Sequence, residues 1–180
     1  MKHLFVSRHA RTSIAGVCYG HLDVPVDVEP EEAARRLRET MATSQRRPRR
    51  LWTSPSRRCL DVALALDPAA TVDERLREMH FGSWEGRTWD SIEPEPEFGT
   101  WARDWKRLRV PGGESAQDLD RRVAAWFEDL DEEHLHFAVA HAGVIRSLRV
   151  QIERWTWDDA MRKPVEHLAW IPIATAGPHS

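Results

Sequence analysis

Two short apolar runs, far apart in the chain and each ending in a histidine, constrain the fold more than any other feature. Leu4-Phe5-Val6 runs into Arg8-His9, and Phe137-Ala138-Val139-Ala140 runs into His141-Ala142-Gly143. As neighbouring parallel strands they release both histidines at the carboxyl edge of the sheet, where open α/β sheets place their ligands. The chain between them reads as strand and helix in alternation. Pro30 occupies a first helical position ahead of Ala33, Ala34, Leu37 and Met41 at helical spacing. Leu51-Trp52 gives a second strand, stopped by Ser54-Pro55, before Cys59, Val62, Ala63 and Leu66 recur as one helix face. Ser115 and Asp118 form a capping-box pattern ahead of Leu119, Val123, Trp126, Phe127 and Leu130, and a helix near Val144 to Ile152 follows the Phe137 strand. Such alternation predicts a three-layer α/β/α fold with a mainly parallel central sheet. Leu168 to Ile171 is expected to add a last strand and Thr175 to Ser180 to fray; His134 and His136 read as a solvent-facing strand start.

At 180 residues the chain suits one domain, 1–180, with a single core. Within it, about 74–111 is too long for a plain connector and is rich in Trp, Glu and Pro, as binding or lid segments are. Trp84, Trp89, Trp101 and Trp105 argue against disorder there. They would wall a cleft for a flat aromatic group, although Trp101 and Trp105, four apart, equally suit an amphipathic helix packed on the sheet. A net charge of −3 offers no general attraction to nucleic acid or anionic membrane. Arg46, Arg47, Arg49 and Arg50 read as a solvated loop. Cys18 and Cys59 are expected as reduced thiols, and with neither a spanning apolar stretch nor a signal peptide the expected compartment is the cytoplasm. A homodimer is compatible with the sequence.

Five motifs in order carry a family resemblance. Val6 to Thr12 is similar to an R-H-G-x-T motif, Ser54-Pro55-Ser56-Arg57-Arg58-Cys59 to S-P-x-x-R-[CA], and Leu76-Arg77-Glu78 with Gly82-Ser83-Trp84-Glu85-Gly86 to L-x-E…G-x-W-E-G. Pro111-Gly112-Gly113-Glu114-Ser115 and His141-Ala142-Gly143 complete the series. Together they resemble the histidine phosphatase superfamily, whose fold is phosphoglycerate mutase-like. The resemblance implies His9 as the nucleophile that takes a phosphoryl group, Arg8, Arg58 and His141 around the phosphate oxygens, and Glu78 as proton donor. Thr12, Tyr19, Gly20, Ala142 and Gly143 are the expected substrate-binding positions.

Elementary chemistry agrees with that assignment. A phosphate monoester carries close to two negative charges near neutrality, and its transfer asks mainly for positioning and charge stabilisation. Guanidinium forks fit phosphate oxygens in a way lysine does not. His9 must attack as neutral imidazole, so its other ring nitrogen needs an acceptor, for which a backbone carbonyl is the usual choice. An alkoxide departs only if protonated, the task implied for Glu78, with Glu85 a competitor. No cofactor or metal is expected, since His9, His21, His80 and His141 show no ligand spacing.

Ala10 stands where the family has glycine and Ala15 where it often has asparagine, while Ala15 to Pro25 together with the Glu78 and Gly112 segments look much like bacterial α-ribazole phosphatases. The expected partner is therefore a small-molecule phosphate monoester, α-ribazole 5′-phosphate or its cobamide counterpart. Runner-up readings are a broad sugar or nucleotide phosphatase, a mutase, and a non-catalytic phospholigand binder. No second anion site, such as phosphoglycerate would require, is visible in the sequence.

Overall fold

The computed structural model describes residues 2–41 and 48–174; Arg46, Arg47 and the tail from Thr175 lie outside the described residues. Strands are β1 (His3–Arg8), β2 (Arg49–Thr53), β3 (Thr71–Val72), β4 (Leu135–Ala140) and β5 (Trp170–Ile173). Helices are α1 (Pro30–Thr40), α2 (Arg57–Leu66), α3 (Trp89–Ile92), α4 (Pro96–Arg103), α5 (Ala116–Glu128), α6 (Ala142–Ile152) and α7 (Trp157–Arg162). The sheet order is β3-β2-β4-β1-β5, parallel except for β5 against β1. The three-layer, mainly parallel arrangement expected from the alternation is the one observed.

Side-chain alternation explains the two layers. Leu4 and Val6 of β1, with Ala138 and Ala140 of β4, face a core shared with Leu119, Val123 and Trp126 of α5 and Ile145 and Leu148 of α6. Phe5, Phe137 and Val139 face the opposite core with Ala33 and Leu37 of α1 and Val62 and Ala63 of α2. Residues two apart share a face of the pleat, so each strand feeds both cores. Every residue of β4 is buried, as a central strand covered on both faces requires.

The anticipated capping box is present: Ser115 Oγ accepts from the Asp118 N–H at 3.2 Å, and the Asp118 carboxylate accepts from the Ser115 N–H at 3.0 Å. The last strand begins two residues later than expected. Leu168 is held at φ +52° with its N–H on the Arg8 carbonyl, and a left-handed residue cannot continue an extended run. Pro172 is tolerated because β5 is an edge strand.

His136 contradicts the expected solvent-facing strand start. It is fully buried, its Nδ1 accepting from the Trp52 indole at 3.1 Å and its Nε2 donating to the Asp131 carbonyl at 3.0 Å. Because β4 is covered on both faces, an alternating pattern there has no wet side. The segment 74–111 is ordered into two 3₁₀ turns, α3 and α4. Among the described residues no helix is long and apolar enough to cross a membrane.

Candidate active site

Parallel pairing of β1 with β4 puts Arg8 opposite Ala140, and the His9 N–H continues the ladder to the Ala140 carbonyl at 3.1 Å. His9 and His141 therefore emerge side by side, with ring centres 5.2 Å apart. His9 is 2% exposed and its Nδ1 lies 2.6 Å from the Ala10 carbonyl oxygen. A carbonyl only accepts, so Nδ1 carries the proton and Nε2 keeps its lone pair. Burial, followed by the charge of Arg58, pushes the His9 pKa down to about 3. The ring is neutral and its tautomer fixed, the state that attack on phosphorus would require.

His141 is the residue before α6 and is fully buried, sharing a hydrogen bond between its Nε2 and Ser54 Oγ at 2.9 Å. Burial, then Arg58, holds its pKa well below the ordinary histidine value. Arg58 is buried at the second position of α2, where its terminal nitrogens donate to the carbonyls of Leu22 at 2.9 Å and Gly20 at 2.6 Å. Arg8 donates one terminal nitrogen to the Val165 carbonyl at 3.1 Å. The Nε atoms of both arginines are buried without a partner among the described residues. Leaving such donors unmade costs about 1–3 kcal/mol each, more for charged groups, so a site with two of them beside a neutral histidine is prepared for an anion.

Glu78 and Glu85, both candidates for the proton donor, are separated by what they bind. Glu85 spends its oxygens on the N–H groups of His21, Leu22 and Phe81, tying the loop after Gly20 to the turn at Gly82. Glu78 lines the same cavity as His9 and Arg8, and is held by the N–H groups of Met79 at 2.9 Å and Gly143 at 3.0 Å. A β-carbon on Gly143 would fall 2.0 Å from Glu78 Oε1, so glycine is what lets the carboxylate seat against α6. Arg122 braces this turn from behind: it donates to the carbonyls of Arg75, Arg77 and Glu78 and pairs with Glu114 at 2.9 Å.

The cavity has a volume of about 570 Å³. Trp89, Trp101, Trp105 and Phe81 form much of its wall, and Trp157 and Met161 from α7 close the side facing Trp105. Trp84 belongs to the core instead, 1% exposed against Phe98 and Trp101. Trp101 is on α4, which ends at Arg103, so Trp105 lies beyond the helix although both rings reach the cavity. Tyr19, Ala142 and Gly143 line the cavity as expected. Thr12 and Gly20 do not: Thr12 Oγ1 pairs with the Tyr19 hydroxyl at 3.0 Å, and Gly20 gives its carbonyl to Arg58 where a β-carbon would sit 1.9 Å from the Met79 carbonyl oxygen. They are braces for the site.

Sequence reasoning missed Arg146, His167, Ser54 and Trp157. Arg146 follows Gly143 by three residues on α6, hence on the same face, and that spacing was the available signal. His167 donates from Nδ1 to the His9 carbonyl at 2.6 Å with its ring 5.7 Å from that of His9, on the side away from β4. It comes from a segment with no periodicity to announce it.

A model of the histidine phosphatase superfamily (branch 1) matches residues 4–177. A glucosyl-3-phosphoglycerate phosphatase of Mycolicibacterium vanbaalenii is 29% identical over 165 residues, covering 82% of this chain and 72% of that protein. The crystal structure of the α-ribazole phosphatase from Shigella flexneri superposes with a TM-score of 0.80 at 24% identity, covering 94% of this chain and 89% of that one, a likeness of fold. A mycobacterial glucosyl-3-phosphoglycerate phosphatase structure gives 0.71 at 26% identity, covering 95% and 89%.

Proposed function

The chain belongs to the histidine phosphatase superfamily, and on that premise we propose that it hydrolyses phosphate monoesters through a phosphohistidine on His9. The observation that carries the reading is the neutral, tautomer-fixed His9, which feels the charges of Arg58 and Arg8, two arginines whose buried Nε donors have no partner among the described residues. Arg8 and Arg58 would bind the dianion, with His141 beside it. His9 Nε2 attacks phosphorus, the ester P–O bond breaks, and the departing alkoxide takes a proton from Glu78. Water then attacks the phosphohistidine, Glu78 accepts its proton, and the N–P bond breaks to release inorganic phosphate.

For the leaving group we propose a flat aromatic base on ribose, with α-ribazole 5′-phosphate the favoured substrate. Support comes from the tryptophan-lined wall beside Glu78 and from the likeness of the Ala15 to Pro25 segment to α-ribazole phosphatases. Burying roughly 100 Å² of ring at about 25 cal/mol per Å² stabilises the complex by on the order of 2.5 kcal/mol. That corresponds to somewhat under a hundredfold in kcat/KM if it is expressed in the transition state. Hydrolysis of p-nitrophenyl phosphate with and without EDTA tests the reaction class, with EDTA-resistant turnover expected. Values of kcat/KM for α-ribazole 5′-phosphate, a nucleoside monophosphate and 3-phosphoglycerate test the substrate; 3-phosphoglycerate equalling α-ribazole 5′-phosphate would remove the finer assignment.

A further inference from the structure

Asp120 of α5 is a half-buried carboxylate held by uncharged partners. One oxygen accepts from Ser147 Oγ of α6 at 2.6 Å, and the other accepts from the indole Nε1 of Trp157, the first residue of α7, at 3.0 Å. Gln151 of α6 adds a further side-chain hydrogen bond. Burial raises the Asp120 pKa, and the hydrogen bonds from Ser147, Trp157 and Gln151 oppose that rise. An apolar residue would avoid the desolvation, so what distinguishes a carboxylate at this position is that it accepts from α6 and α7 at once.

Other polar ties of α7 hold its backbone and its outer face. Arg146 Nε donates to the Ala160 carbonyl at 3.1 Å, and Lys106 pairs with Asp158 at 2.9 Å, an exposed ion pair of the kind that contributes little. Neither touches the Trp157 ring, which packs edge-to-face on Trp105 with ring centres 5.3 Å apart and lines the cavity with it. A hydrogen bond to an ionised acceptor is directional and roughly twice as strong as a neutral one, so Asp120 fixes the rotation of the indole and with it this stretch of wall. Ser147 lies one turn beyond Gly143, whose N–H holds Glu78, so the same carboxylate ties the wall to the helix that seats the proposed proton donor. We propose that Asp120 is a positioning residue that sets leaving-group specificity: by clamping Trp157 to α6 it holds the aromatic wall in place beside Glu78, ready for a flat ring on the departing alcohol. The proposal deepens the reading of an aromatic leaving group and rests on it.

2-Naphthyl phosphate and phenyl phosphate are esters of similarly acidic alcohols that differ by one fused ring, so the ratio of their kcat/KM values reads the wall. Burying roughly 55 Å² of the added ring corresponds to a wild-type ratio of about tenfold in favour of the naphthyl ester. Asp120→Leu should lower the ratio to about two, whereas Asp120→Asn, whose amide oxygen still accepts from the indole, should stay within about twofold of wild type. Trp157→Ala should lower the ratio by itself, and adding Asp120→Leu to it should lower it no further, because the carboxylate acts through that ring. A merely structural loss would slow both esters alike and leave the ratio where it was. A wild-type ratio near one, an unchanged ratio in Asp120→Leu, or a further drop when that substitution is added to Trp157→Ala overturns the clamp. Should Asp120→Leu fail to fold, Trp157→Phe breaks the same hydrogen bond while keeping a ring, and an unchanged ratio there overturns the proposal equally. If wild type turns over neither ester nor p-nitrophenyl phosphate, the phosphatase reading falls instead; calorimetric affinities of wild type and Asp120→Leu for the two esters then decide the clamp by the same ratio.

Discussion

Gly143 and Glu78 illustrate how one residue can set the position of another. The carboxylate occupies the space a Gly143 side chain would fill, 2.0 Å from its β-carbon position. Gly143→Ala should therefore displace Glu78 and slow alkyl phosphate hydrolysis by roughly 10²-fold, the low end of what general acid help contributes. Steady-state kcat together with the melting temperature separates this from unfolding. Glu78→Gln should cost alkyl phosphates far more than p-nitrophenyl phosphate, whose leaving group needs little protonation, when phosphoryl transfer to His9 is followed in single turnovers. Equal losses would move the acid role away from Glu78. At this scale the motifs singled out residues that the fold does bring together: Arg8, His9 and Glu78 line one cavity, and His141 lies beside His9. The sequence was silent on His167, which reaches the His9 carbonyl from a segment without pattern, and it misread His136, whose burial follows from the central position of β4.

Elements carry the site through their ends. The α6 N-terminus presents the Gly143 N–H to Glu78, and α2 begins at the Ser-Pro turn that supplies Ser54 to His141 and buries Arg58. The capping box that starts α5 follows Glu114, which with Arg122 braces the backbone at Glu78. Ser115→Ala should cost about 1 kcal/mol of stability through the lost cap, measurable by urea unfolding. Arg122→Met should lower kcat on alkyl phosphates without touching the cavity wall, since it releases the carbonyls of Arg75, Arg77 and Glu78. Unchanged turnover in that variant would show that the turn holds itself. Helices α1, α2, α5 and α6 were legible because apolar residues recur there at helical spacing, helped by Pro30 at the start of α1 and the capping box at the start of α5. The 74–111 segment was not, because its helices are four and eight residues long, too short for a period to declare itself.

Across the whole molecule, the topology that joins His9 to His141 also fixes a pH dependence. Both histidines have pKa values lowered by burial, so below the ordinary histidine range the unfolded chain binds protons that the folded chain refuses. Stability is therefore complete above about pH 6.5 and falls as pH drops below it, by about 1.4 kcal/mol per pH unit for each such proton. Urea unfolding in phosphate-free buffer between about pH 7 and pH 5 should show this slope, and His9→Asn should make it shallower by close to one proton. An identical slope in the variant would mean that His9 is not held neutral. The parallel β1–β4 pairing was legible from two apolar runs alone, whereas the cavity assembles side chains from β1, the 74–111 segment, α6 and α7, a combination that only the folded chain brings together.

The central claim, covalent transfer of phosphate to His9, is tested most directly by quenching the wild-type protein with ³²P-labelled substrate in alkaline detergent, in parallel with His9→Ala. The structure's neutral Nε2 predicts a base-stable, acid-labile label on the peptide containing His9, absent from the variant, which keeps its fold but loses turnover. Substantial hydrolysis by His9→Ala, or label on another residue, would contradict the mechanism.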